Sequence, residues 1–207
     1  MLRAAIVGLG DWSDVIAQAV QDKSEAIRLV TCCSRSPDKR AAFAVEYDTA
    51  QHEAYEAVLG NADIEVVILT TPHSLHAEQV IEAAAAGKNV FCEKPFTLTA
   101  AACAEAAVVL AVGQNRRFSG AAREVKQRFD AGEFGTVLHF EANLSYPGQK
   151  IYKPGIWRSE ALENSDGAMT SCGIHMIDTA TWPLGQIARV SARRARRRGG
   201  ACNRAWA

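Results

Sequence analysis

The pattern of apolar and polar positions divides the chain in two. Up to about residue 118, short apolar runs alternate with segments of helical period. Ala4–Val7, Arg28–Cys33, Val66–Thr70, Val90–Cys92 and Val108–Val112 read as strands. The run from Val66 is fully apolar, as expected of a strand with helices on both faces. Between these runs, Val15–Val20, Tyr55–Leu59, Glu78–Ala86 and Ala100–Ala107 read as helices. Ser36-Pro37-Asp38 starts another helix, running to about Glu46. Ser can cap it, Pro suits its first position, and Asp suits the positive end of its dipole. Gly87 is placed to end the helix before it. Strands alternating with helices predict an α/β fold with a doubly wound parallel sheet.

After Phe118 the pattern changes. Ala121–Asp130 is an amphipathic helix. Thr136–Leu144 alternates, with Val137, His139 and Glu141 on one face and Leu138, Phe140 and Ala142 on the other. That alternation predicts an antiparallel strand in a different sheet. Residues 147–167 are loop-rich, Ile174–Leu184 is a helix, and Ile187–Ala192 a further strand. The expected architecture is a doubly wound domain over 1–118, then an incomplete α+β domain with mainly antiparallel sheet over 119–207, ending in a basic tail at 193–207.

Composition adds bounds. The chain has 207 residues, 48% hydrophobic and 22% charged, which excludes a disordered or collagen-like polymer. No apolar run reaches the ~18 residues a membrane helix needs. The first residues run straight into a glycine turn, with no signal-peptide pattern, so the expected compartment is the cytoplasm. Lys plus Arg and Asp plus Glu both number 23. The seven arginines and no acid of residues 179–207 balance an acidic remainder. Clustered Arg can neutralise phosphates, but no aromatic platform is interleaved with it, so no nucleic-acid partner is expected. The six cysteines form no C-x-x-C pair. They read as reduced, mostly buried small hydrophobes, with no metal expected.

Gly8-Leu9-Gly10-Asp11-Trp12-Ser13 follows a strand and opens a helix. The first glycine makes the tight turn and the second lets a pyrophosphate approach. The helix N-terminus then supplies N–H groups and positive potential. Ser13 stands where a third glycine is usual. Gly8, Gly10, Asp11 and Trp12 are therefore candidate cofactor contacts. An acid ending the second strand would hold the ribose 2′-hydroxyl of NAD. Here the segment is Cys32-Cys33-Ser34-Arg35-Ser36. Arg35 can pair with a 2′-phosphate and Ser34 can donate to it, which favours NADP over NAD. Glu93-Lys94-Pro95 follows the strand Val90–Cys92, at the strand end where an acid/base group belongs. A lysine there can move a hydroxyl proton.

Taken together, these segments resemble the Gfo/Idh/MocA oxidoreductases. The resemblance rests on Ile6-Val7-Gly8-Leu9-Gly10, Thr71-Pro72-His73-Ser74-Leu75-His76, Gly87-Lys88-Asn89-Val90 with Glu93-Lys94-Pro95, Gly113-Gln114-Asn115-Arg116-Arg117-Phe118, and Gly173-Ile174-His175-Met176-Ile177-Asp178, in the family's order. It implies a Rossmann domain and reversible oxidation of a carbinol to a carbonyl on a sugar, cyclitol or dihydrodiol, without a metal. It assigns Lys94 as the lysine that shuttles the hydroxyl proton, and His175 as the second catalytic residue. It places Thr71, Pro72 and Glu93 by the cofactor; His76, near the nicotinamide side, is a further candidate cofactor contact. Asn115, Arg116, Trp157, Arg158 and Ser171 are substrate-side candidates.

Three departures qualify the resemblance. Ser171 stands where the family often has Asp, and a hydroxyl lacks the carboxylate's charge. The crossover between Pro95 and Val108 is short, near the minimum for a parallel connection. The stretch after Ala195 matches nothing in the family and reads as a truncated or frame-shifted end. The alternative expectation is therefore a catalytically impaired dinucleotide-binding fragment; a basic-tailed interaction module is more distant. A homo-oligomer is expected only where the second domain's sheet is complete.

Overall fold

The computed structural model describes residues 1–96, 108–145, 155–160, 163, 169–191 and 193. The chain forms two compact units, Met1–Gly113 and Gln114–Ala207.

The first unit runs β1 (Leu2–Val7), α1 (Asp11–Val20), β2 (Ile27–Cys33), α2 (Pro37–Tyr47), β3 (Ala50–His52), α3 (Tyr55–Leu59), β4 (Val66–Leu69), α4 (His73–Ala85), β5 (Asn89–Cys92) and β6 (Leu110–Val112). The sheet order is β3-β2-β1-β4-β5-β6, and every pairing is parallel. The winding reverses between β1 and β4, which makes their junction the switch point where such sheets bind ligands. Register then does the positioning. Val7 pairs with Cys33 and with Leu69, Leu69 with Cys92, and Cys92 with Val112. These strands end level, so Gly8, Ser34, Thr70, Glu93 and Gly113 open on one rim.

Alternate strand residues feed two cores, one on each face. Ala5, Val7, Val67, Leu69, Val90 and Cys92 pack with Val58, Val80, Ala83 and Ala84. Ala4, Ile6, Leu29, Val66 and Ile68 pack with Ala17, Phe43 and Tyr47. Burial on both faces is why these strands read as continuous apolar runs. The Ser36 cap forms as its sequence implies, its hydroxyl accepting from the Lys39 amide. Gly87 follows α4 at φ +71°. Two details differ from the sequence reading. β3 carries no apolar pattern, because it is a short edge strand. α4 starts at His73, five residues before Glu78. The helix expected at Ala100–Ala107, with the crossover containing it, lies outside the described residues.

Cys32 and Cys33 end β2 inside the core. Burial pushes the Cys33 thiol up to about 11, and Cys32 also rises. The thiol form therefore binds its proton more tightly in the folded chain than in the unfolded one. The stability that Cys33 contributes is whole below pH 9 and is lost as the pH climbs from there to about 11. Stability measured by urea titration is expected to fall across that window, and less so in a Cys33→Ser variant.

In the second unit α5 (Gly120–Asp130) is capped by Ser119, whose hydroxyl accepts from the Ala122 amide. A π turn at Met169–Gly173 leads into α6 (Ile174–Leu184). The expected antiparallel sheet is not formed among the described residues. Thr136–Leu144 is irregular, with Leu138 91% exposed, and residues 187–191 are irregular as well. Alternation favours a strand only when a neighbour takes up its backbone N–H and C=O groups. The described residues offer these segments no such neighbour, and the sheet that does form is wholly parallel.

Candidate active site

The rim of the first unit is built from the glycine turn outward. Gly8 has φ +91°, and a Cβ there would lie 2.8 Å from the Thr71 amide nitrogen and 2.9 Å from the Thr70 carbonyl carbon. Only glycine lets β1 turn this close to the loop after β4. Thr70 fastens the turn, its hydroxyl donating to the Gly8 carbonyl at 2.5 Å. Gly10 precedes α1 in extended conformation, and a Cβ there would meet nothing within 4 Å. That leaves open space in front of the first amides of α1, where Asp11 and Trp12 begin the helix. Ser13 is buried; its hydroxyl accepts from the Gly10 amide at 3.1 Å and donates to the Gly10 carbonyl at 2.6 Å. The residue in place of a third glycine thus braces the turn from inside. Turn, space and helix end fit a pyrophosphate.

At the end of β2, Ser34 accepts from the Ser36 amide at 3.3 Å, and its carbonyl accepts from Arg40 Nη1 at 2.5 Å. Arg35 is exposed beside it. The sequence reading missed Lys39. Its Nζ donates to the Leu9 carbonyl at 3.2 Å, bringing a cation to the glycine turn. Its place in the first turn of α2, just past Ser36, was the available signal.

At the end of β5, Trp12 Nε1 donates to Glu93 Oε1 at 2.7 Å, and the Lys94 amide donates to Glu93 Oε2 at 3.2 Å. Glu93 is buried. It lies against Gly113, where a Cβ would come within 2.5 Å of Oε1. Gly113 follows β6 on the same rim; the sequence marks it as part of the Gly113–Phe118 motif but assigns it no contact. Trp12 and Glu93 tie the turn after β1 to the loop that carries Lys94. The Lys94–Pro95 peptide is cis. Pro72 precedes α4, and Thr71 is buried with its hydroxyl donating to Gln79 Oε1 at 2.6 Å. His76, taken from sequence as a cofactor contact, is wholly buried, with both ring nitrogens on main-chain carbonyls.

In the second unit Asn115 and Arg116 are exposed on a 3-10 turn, Asn115–Phe118. A further such turn, Trp157–Ser159, carries Trp157 and Arg158. Ser171 is buried in the π turn, and His175 follows in the first turn of α6. Arg117 grips Asp178 with two bonds, Nε to Oδ2 at 2.7 Å and Nη2 to Oδ1 at 2.5 Å. The bond to Asp178 holds the guanidinium above its ordinary range. The guanidinium also lies 5.7 Å from the Trp182 ring centre. An Asp178→Asn change is expected to cost about 1.5–3 kcal/mol, read by chemical denaturation. Unchanged stability would mean the pair does not hold α6.

A family model described as oxidoreductase family, NAD-binding Rossmann fold, matches residues 2–120. The chain belongs to the Gfo/Idh/MocA oxidoreductases. The family's C-terminal domain model matches residues 122–205. That match runs through the arginine-rich stretch, overturning the expectation that nothing after Ala195 corresponds to the family. The chain is 32% identical over 202 residues to scyllo-inositol 2-dehydrogenase (NAD(+)) of Bacillus subtilis, covering 92% of this chain and 56% of that protein. It is 31% identical over 192 residues to inositol 2-dehydrogenase of Rhizobium meliloti, covering 89% and 56%. Among solved structures it is similar to a protein of Desulfitobacterium hafniense provisionally named an NADPH-dependent oxidoreductase, with 36% identity, TM-score 0.82 and coverage of 89% and 55%. Scyllo-inositol dehydrogenase from Lactobacillus casei, solved with NAD(H) and scyllo-inositol, gives 26% identity, TM-score 0.75 and coverage of 88% and 56%. This member of the family spans just over half the length of those relatives. Among the described residues, no helix is long and apolar enough to cross a membrane.

Proposed function

We propose that this chain carries the dinucleotide-binding domain, over 1–118, and part of the substrate domain, over 119–207, of an NAD(P)-dependent dehydrogenase acting on CH–OH groups. The substrate class proposed is a cyclitol or related polyol, sugar or dihydrodiol. The observation that carries the reading is the level rim. It sets Lys94 on the same edge as the glycine turn and joins them through Trp12 and Glu93.

Gly8, Gly10, Asp11 and Trp12 would hold the pyrophosphate end of the cofactor, with Thr71, Pro72, Glu93 and Lys94 at its nicotinamide end. When bound, the nicotinamide supplies a hydride acceptor or donor. The Lys94 amine takes the proton of the reacting hydroxyl during oxidation and returns it during reduction. Glu93 orients the loop by accepting from Trp12 and from the Lys94 amide. His175 is proposed as the second proton-handling group, and Asn115, Arg116, Trp157, Arg158 and Ser171 as substrate contacts. Ser171 can orient a hydroxyl but brings no negative charge.

NADP is proposed as the preferred cofactor, with NAD the alternative. Arg35 is exposed at the end of β2, Lys39 leans on the glycine turn, and no acid stands at Ser34. An Arg35→Ala, Lys39→Ala double variant is expected to bind NADPH at least about tenfold more weakly, since each bond to a charged group is worth about 1.5–3 kcal/mol. NADH affinity should change far less. Fluorescence titration with both cofactors reads this directly, and equal losses for the two would refute the NADP preference.

A further inference from the structure

His76 joins two loops that the sheet itself leaves separate. It lies one turn into α4, and helical side chains lean toward the N-terminus. Its ring therefore reaches back to the loop after β4, where Nε2 lies 3.0 Å from the Thr71 carbonyl. Its other side meets the loop after β5, where Nδ1 lies 3.0 Å from the Pro95 carbonyl. The ring is 0% exposed. A carbonyl only accepts, so a ring N–H facing either carbonyl donates to it, and the tautomer decides which nitrogen carries the proton. Pro95 directly follows Lys94. Thr71 packs against the Gly8 turn and is tied to α4 through Gln79.

We propose that His76 is a positioning residue. By holding the Pro95 carbonyl at a fixed distance from the Thr71 carbonyl, it sets where Lys94 sits relative to the glycine turn. The inference deepens the reading of Lys94 as the acid/base and rests on it. The geometric part, that the Pro95 contact fixes the Lys94 loop, can be tested without any substrate.

Two substitutions separate the two contacts. His76→Asn keeps an amide nitrogen near the Nδ1 position and so can hold Pro95. His76→Gln keeps one near Nε2 and so can hold Thr71. The lysines of the full chain are dimethylated with 13C-formaldehyde, and the Lys94 signal is assigned from its loss in Lys94→Arg. The wild-type Lys94 resonance should persist in H76N and shift or broaden in H76Q. Cofactor affinity, from NADPH titration, should stay within about threefold in both. Where wild type oxidises scyllo-inositol, kcat should fall about tenfold or more in H76Q, because a small misplacement of an acid/base group is costly, while H76N recovers most of it.

If wild type shows no turnover, the catalytic reading fails, and the resonances still decide whether the clamp exists. An unchanged Lys94 signal in H76Q overturns the proposal. So does a loss in H76N as large as in H76Q at equal thermal stability. Should H76Q fail to fold, a perturbed Lys94 signal in folded H76N overturns it equally.

Discussion

Replacing Lys94 by alanine is expected to lower kcat for polyol oxidation by about 10²–10⁴-fold, the range general acid–base catalysis supplies. Cofactor affinity should change by less than about fivefold, because the glycine turn, the helix end and the cations at Arg35 and Lys39 remain. β5 ends level with β1 and β4, so the residue after Glu93 emerges beside the switch point. Glu93 is already engaged by Trp12 and by the Lys94 main chain, which leaves the lysine amine as the proton carrier proposed for this edge. Steady-state rates with scyllo- and myo-inositol, alongside NADPH and NADH titrations of the same variant, check the claim. A variant that keeps a tenth or more of its wild-type kcat would remove Lys94 from the chemistry.

Gly8→Ala is expected to have the largest effect on folding. Two costs combine. An L-residue at φ +91° is strained by about 1–2 kcal/mol. Its methyl group would also press on backbone atoms of Thr70 and Thr71 that cannot swing aside, at about 1–3 kcal/mol. A loss of about 3 kcal/mol would lower Tm by about 6–12 °C for a chain of this size. Cofactor binding should be lost as well, since the shifted turn moves the helix end. Calorimetry and NADPH titration read the two parts separately. Gly10→Ala is the internal comparison, because its added methyl meets no atom within 4 Å. It should fold normally and weaken only the binding.

Much of the first unit was legible because its signals are local and doubly determined. Val66–Leu69 is apolar on both faces since helices cover both, and Ser36-Pro37 fixes the start of α2 by capping chemistry. β3 was not legible. Its pairing with β2 is set by sheet geometry, and Ala50-Gln51-His52 has no apolar residue pattern to report it. The start of α4 was placed late because His73 to Leu75 carry no clear period, whereas His76 is drawn inward by the two loops it bridges. The second unit shows the converse failure. Alternation at Thr136–Leu144 is a real pattern, but a strand is a property of a pair, and one sequence segment cannot supply its neighbour.

The site divides in the same way. Gly8, Gly10 and Lys94 are marked by motif. The roles of Gly113 and Lys39 depend on what lies across the rim, Glu93 in one case and the Leu9 carbonyl in the other. His76 carries a motif signal, but what its ring nitrogens face, the Thr71 and Pro95 carbonyls, depends on two loops the sequence does not show together.

The most direct test of the central claim is a nicotinamide-fluorescence titration of the 207-residue chain with NADPH, and with NADH in parallel. Saturable binding is expected, tighter for NADPH and abolished by Gly8→Ala. Absence of saturable binding to either cofactor, by a chain that is folded by calorimetry, would contradict it.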